Sequence, residues 1–246
     1  MLKIITIITK FILVALTALL FASCNHSINL NSIKGSGNVT TEKRSVEGNF
    51  KSIEVSNAVD LVIEQADNIA ISVEADDNLQ QHITTKVENG VLIVACDYNS
   101  FMNIKSKKVI VKMPFIEELS ASSASSISSL NTLKSEKISF RTSSAASINL
   151  KVKSDHIRCK SSSGSSLTLE GMALTLEVIA SSGSTIDAAA LLANEVTAKS
   201  SSGATIRVHP IVSLNAKASI GSIITYNTIP KSTRKFASSG GIISQE

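Results

Sequence analysis

The sequence predicts an all-β fold: a parallel β-solenoid, right-handed by preference, with coils of about 19–20 residues. Three observations carry that prediction. Nearly the same six residues recur seven times: SSASSI from Ser122, SSAASI from Ser143, SSGSSL from Ser162, SSGSTI from Ser181, SSGATI from Ser201, SIGSII from Ser219 and SSGGII from Ser238. Their starts lie 21, 19, 19, 20, 18 and 19 residues apart, the signature of one supersecondary unit stacked on copies of itself. Aligned on the first serine, the copies give chemically uniform columns. A helical alternative fails because no 3.6-residue apolar period is sustained and the Thr, Ile and Val content favours extended chain. A left-handed hexapeptide coil would need an apolar residue every six positions, and that pattern is absent.

At the N-terminus, Lys3 and Lys10 form a positive region and Phe11 to Phe21 an apolar run of 11 residues, too short for a comfortable membrane span. The run ends at Phe21-Ala22-Ser23-Cys24, small residues before a cysteine, as in a bacterial lipoprotein signal. Residues 1–23 are therefore expected to be an export signal and Cys24 the lipidated first residue of the mature chain, anchoring it to a membrane. Ordinary secretion with cleavage nearby is the alternative. Residues 24–35 read as a polar tether; they lack an acidic run, so periplasmic and surface-facing placements both stay open.

The chain holds 24 Lys and Arg against 20 Asp and Glu, so losing Lys3 and Lys10 leaves an excess of about +2. With no Trp and no basic block interleaved with aromatics, nucleic acid is not an expected partner. Cys96 and Cys159 remain after lipidation; they could pair in an exported protein, but the 62 residues between them carry no disulfide-framework signal, and free buried thiols are expected because Cys159 falls in an inward column of the repeat.

Residues 36–115 read as irregular β coils. Phe50, Ile53 and Val55 lead into the corner-like Ser56-Asn57-Ala58, followed by Val59, Leu61 and Ile63. Further alternating runs cover 69–73, 91–94 and 109–113, with a turn at Asn89-Gly90. GSGNV at 35–39, FKSIEV at 50–55, VEADDNL at 73–79 and ENGVLIV at 88–94, followed by Ser/Gly-rich coils, resemble the family called putative auto-transporter adhesin, head GIN domain. The resemblance covers about residues 36–243. It implies an exported β-helical protein, often a lipoprotein of Bacteroidetes-type bacteria, with an adhesive role and no catalytic residues to carry over. Asn57, where similar chains often have Gly, and Gln65-Ala66, where Gln-Gly is common, depart from the pattern.

Residues 116–246 are the regular Ser/Gly-rich solenoid, each unit reading as strand, tight corner, second strand and return. The sixth column is Ile127, Ile148, Leu167, Ile186, Ile206, Ile224 and Ile243, an aliphatic ladder at about 4.8 Å per step. The third column is Ala124, Ala145, Gly164, Gly183, Gly203, Gly221 and Gly240, fitting a corner that needs positive φ or close backbone approach. The serines are expected to satisfy corner backbone groups and one another. Upstream, apolar pairs such as Ile138 and Phe140 or Ile157 and Cys159 alternate with outward charges.

Little points to chemistry. His26, His82, His156 and His209 lack metal-site spacing, and Asp155 and His156 are strand neighbours on opposite faces. Asp76, Asp77 and Asp97 could approach one another around Ca²⁺, but a solvated turn is the favoured reading, so no metal or cofactor is expected. GSG at 35–37 lacks the strand–helix context of a phosphate loop. The outward column Arg141, Lys160, Lys199 and Lys217, interrupted by Ile179, forms a basic stripe suited to acidic polysaccharide or lipid headgroups, or to plain solubility. The leading reading is a lipid-anchored, non-enzymatic, adhesin-like solenoid with a glycan or protein ligand. A polysaccharide lyase or hydrolase is the alternative, disfavoured because the acidic residues look scattered along the chain. An envelope-stress or structural component is a third. No helix covers the last coil, so association into homodimers is expected.

Overall fold

The computed structural model describes residues 32–98 and 100–246, with Lys10, Ile12 and Val14 besides. The chain divides into two units, Met1–Asn31 and Ser32–Glu246. The expected signal, the lipidated Cys24 and the tether up to residue 31 lie outside the described residues, apart from Lys10, Ile12 and Val14, which are helical. Among described residues no helix is long and apolar enough to cross a membrane. The second unit is a stacked-coil parallel β-solenoid.

Its strands are β1 (Ser32–Lys34), β2 (Val39–Arg44), β3 (Ser52–Val55), β4 (Asp60–Gln65) and β5 (Ala70–Asp76), then a 3-10 turn over Asp77–His82. β6 (Ile83–Glu88), β7 (Val91–Cys96), β8 (Ser100–Met102) and β9 (Lys107–Met113) complete the first part. The regular coils comprise β10 (Glu118–Ala121), β11 (Ser126–Ser129), β12 (Leu133–Thr142), β13 (Ser147–Ser161), β14 (Ser166–Ala180) and β15 (Thr185–Ser200). β16 (Thr205–Ala218), β17 (Ile223–Tyr226), β18 (Ser232–Ala237) and β19 (Ile242–Gln245) end the stack.

The repeat sets the register. Along the sixth column Leu61 pairs with Ile127, Ile127 with Ile148, Ile148 with Leu167, and so on through Ile186, Ile206, Ile224 and Ile243. Every member up to Ile224 is buried, which contributes roughly 1.5–3 kcal/mol per side chain. A second inward column runs Ile53, Leu119, Phe140, Cys159, Val178, Ala198 and Ala216, all buried. Cys96 and Cys159 are both buried and free, and burial pushes the Cys159 thiol far up.

Each corner is made by two successive residues of positive φ, Ser163 and Gly164 (54° and 67°) or Ser182 and Gly183 (53° and 67°), for example. Two such residues are what a tight turn of type I′ requires. The turn closes with the fourth N–H donating to the first carbonyl, as in Ser184 to Ser181 at 3.2 Å. Its third N–H reaches the next coil, as in Gly183 to Ser202 at 3.0 Å. At Gly164, Gly183, Gly203 and Gly221 an added Cβ would meet nothing within 4 Å, so backbone conformation and not close approach selects glycine there. Of the serines, those in the fourth column do the satisfying. Ser184 Oγ donates to Ser161 O at 2.8 Å, Ser222 Oγ to Ser200 O at 2.8 Å, and Ser165 joins Thr142 and Ser161 in a buried hydroxyl network.

Two features differ from the sequence reading. The return is itself extended, so β13 to β16 run 14–16 residues each between corners. The first third is not a run of coils in chain order. β3 and β4 form a coil held between β10/β11 on one side and β7/β9 on the other, so the chain leaves the stack and returns past its own start. β5 lies antiparallel on β9, β2 on β5 and β6 on β7, closing that end of the solenoid. Such pairing blunts an exposed sheet edge.

Asp76 fastens this closure. It is fully buried, and its carboxylate accepts from the backbone N–H groups of Gly37, Lys105 and Ser106 at 2.9, 2.9 and 3.0 Å. Burial acts to raise its carboxyl pKa, but those donors and the Lys105 charge outweigh it and hold it below the usual range. GSG thus serves a structural end: a Cβ on Gly35 would sit 2.3 Å from Asp76 Oδ2. Asp97 lies elsewhere, 3.6 Å from His82, so the three aspartates do not form one group.

Candidate functional site

Three outward faces follow from the coil: the strand approaching each corner, the strand departing from it, and the return. On the approach face, alternation sends every second residue outward, and parallel register stacks those residues into columns. Arg141 pairs with Lys160, Lys160 with Ile179, Ile179 with Lys199, and Lys199 with Lys217, so the sequence-predicted stripe is contiguous, with Ile179 half-buried within it. All four basic residues are exposed.

The neighbouring outward column carries Glu118, Ser139, Arg158 and Glu177. There, charges on adjacent coils are matched. Arg141 Nε is 2.9 Å from Glu118 Oε1, and Arg158 Nε donates to Glu177 Oε2 at 2.8 Å. Lys160, Lys199 and Lys217 differ: among described residues none has a carboxylate within 4 Å. Lys199 and Lys217 are direct register neighbours, a like-charge pair that destabilises the sheet.

Beside the stripe, where the return meets the approach strand, a groove of about 920 Å³ opens. Glu117, Glu136, Lys137, His156, Arg158 and Glu177 line it. His156 Nδ1 and Thr175 Oγ1 are hydrogen-bonded at 2.8 Å, and Lys51 holds Glu117 at 2.9 Å. This corrects the expectation that acidic residues are scattered: stacking brings glutamates 117, 136 and 177, distant in sequence, to one groove. Reading the columns four and six residues ahead of each corner, as the stripe was read two ahead, would have found Lys137, His156, Arg158 and Glu177, but not Glu117 and Glu136, which stand five and seven ahead. The arrangement offers side-by-side cations and carboxylate acceptors along a solvent-open channel, which suits hydroxyl-rich or anionic chains. The corner residues Gly164, Gly183, Gly203, Gly221 and Gly240 are structural, at φ of 65–76°.

A family model described as putative auto-transporter adhesin, head GIN domain, matches residues 49–230. The chain belongs to this family. Solved structures resemble it along most of its length. A putative adhesin from Bacteroides fragilis superposes with a TM-score of 0.80 at 19% identity, covering 87% of this chain and 100% of that one. A protein from Parabacteroides distasonis, named a putative lipid binding protein, gives 0.70 at 18% identity, with 87% and 99% covered. A putative adhesin from Parabacteroides merdae gives 0.69 at 18%, with 88% and 99% covered. At these identities the likeness establishes the fold alone. No curated protein matches the chain. Asn57 and Gln65, where this head GIN chain departs from the family pattern, both hold coils together. Asn57 has φ of 57° and donates to Cys96 O at 2.9 Å. Gln65 Nε2 donates to Pro114 O and Lys134 O at 2.9 and 2.8 Å.

Proposed function

We propose that this head GIN protein is a non-enzymatic, adhesin-like binding module of the cell envelope, lipid-anchored through Cys24, whose approach face holds an acidic polysaccharide. The observation that carries this reading is the contrast along one face. Arg141 and Arg158 are matched by carboxylates, whereas Lys160, Lys199 and Lys217 are stacked with none. A polyanion running along the coils would relieve that repulsion, and the adjoining groove would supply hydrogen bonds to its hydroxyls. Family membership supports an extracellular or envelope location.

Mature protein is to be titrated with polyuronate and sulfated glycans, then with matrix proteins. Binding that weakens with salt and is lost in the triple variant Lys160→Ser, Lys199→Ser, Lys217→Ser is the expected result. Indifference to the whole panel would overturn the proposal. Cys24→Ser should release the protein from the membrane fraction.

The convergence of Glu117, Glu136 and Glu177 gives a second reading, a polysaccharide-acting enzyme. Two of those carboxylates are already held by Lys51 and Arg158, which favours binding over acid–base work. New reducing ends or unsaturated products from uronate polymers would reverse that preference. Self-association through β18 and β19, each paired on one side among described residues, belongs to the same proposal. A strict monomer in concentrated solution by light scattering would remove it.

A further inference from the structure

On the return face, two outward columns lie side by side. One runs Lys134, Lys153, Met172, Leu192, each paired in register with the next. The other runs Glu136, Asp155, Leu174, Asn194 between the flanking register pairs, and Ile211 continues it where the β15–β16 pairing shifts. Both columns change from charged to uncharged residues at the same coil step, and past it all but Asn194 are apolar. Together they line a groove of about 810 Å³. Its apolar half is exposed: Met172 46%, Leu174 49%, Leu192 42% and Ile211 43%. At its other end two lysines and two carboxylates stand together, and among described residues none of the four makes an ion pair within 4 Å.

We propose that this groove binds one zwitterionic phospholipid-type amphiphile lengthwise. Its phosphate lies against Lys134 and Lys153, its ammonium beside Glu136 and Asp155, and its alkyl chain over Met172, Leu174, Leu192 and Ile211. The charge pattern selects this occupant. A purely anionic head would meet two carboxylates and a cationic head two lysines, whereas a head carrying both charges meets partners for each. The apolar half explains the tail, since contiguous exposed apolar surface of this kind marks a binding site and burying it is favourable. Size agrees: the groove spans five coils, about 19 Å at the inter-coil spacing, and its volume is that of a small-molecule site. A second copy fits less well, because a two-fold contact sets groove against groove and leaves a void.

The test is calorimetric titration of the mature chain with dodecylphosphocholine below its critical micelle concentration. Dodecanoate, dodecyltrimethylammonium, phosphocholine without a chain, and phosphatidylcholine vesicles are run in parallel. Dodecylphosphocholine should bind one to one, with the anionic and cationic amphiphiles about tenfold weaker and phosphocholine alone silent. Leu192→Asp, at an exposed position, should abolish binding with an unchanged circular dichroism spectrum. Glu136→Lys should shift preference toward dodecanoate. Equal binding of all three amphiphiles overturns the proposal. So does full binding by Leu192→Asp, capture by vesicles alone, or dimerisation through this face without lipid.

Discussion

At the corners, two adjacent residues carry positive φ in every copy, yet only the second of them was legible. Gly164, Gly183 and Gly203 announce their backbone by lacking a Cβ, whereas Ser163, Ser182 and Ser202 adopt φ of 53–54° without any compositional mark. Serine is tolerated there because its side chain points to solvent and the turn hydrogen bond fixes the conformation. Gly183→Val places a β-branched side chain at φ of 67° and should cost roughly 1–3 kcal/mol, read as a lowered melting temperature. Gly183→Asn should lose far less, since asparagine tolerates left-handed backbone and nothing crowds its side chain there. Equal melting of parent and valine variant would refute the corner assignment. Asp76 gives a residue-scale prediction in pH. Its folded pKa is depressed, so its contribution to stability is complete above about pH 4 and is lost as the pH falls through the depressed value. Hydrogen exchange in acid should open β2, β5 and β9 before β13 to β16. Asp76→Asn should open them already at neutral pH. Its burial was invisible in the sequence, where Asp76-Asp77-Asn78 looks like a solvated turn.

At the scale of the element, the aliphatic ladder was readable because each coil repeats the same inward positions at fixed spacing. The stacking order of the first third was not. Nothing in Phe50–Val55 says that Ile53 touches Leu92 on one side and Leu119 on the other, because that depends on the chain doubling back rather than on local pattern. The extended return was missed for a related reason. In β13 the inward–outward alternation breaks at Asp155-His156 while the strand stays in register with β14, and no Gly or Pro in β13 marks the change. The second inward column holds Phe140 near the junction with β3 and β10 and only alanines, Ala198 and Ala216, at its far end. Phe140→Ala should therefore cost about 3–5 kcal/mol by leaving a cavity that its neighbours cannot close. Denaturant unfolding measures this, and a change under about 1 kcal/mol would mean the column is not a packed core.

At the scale of the whole molecule, stacking turns a one-dimensional repeat into faces with distinct chemistry. The basic stripe was read from a single column. The glutamate groove and the amphiphile groove needed adjacent columns and the bend between them, which only coordinates supply. Both readings rest on residues one coil apart lying side by side. Spin labels at the exposed positions Ser147, Ser166 and Thr185, taken in pairs, test that placement directly. Labels at 147 and 166, or at 166 and 185, should sit about 5 Å apart at the backbone and give strongly broadened spectra, whereas 147 with 185 should couple weakly across two coils. Sharp, uncoupled spectra from the 147–166 pair would contradict the account.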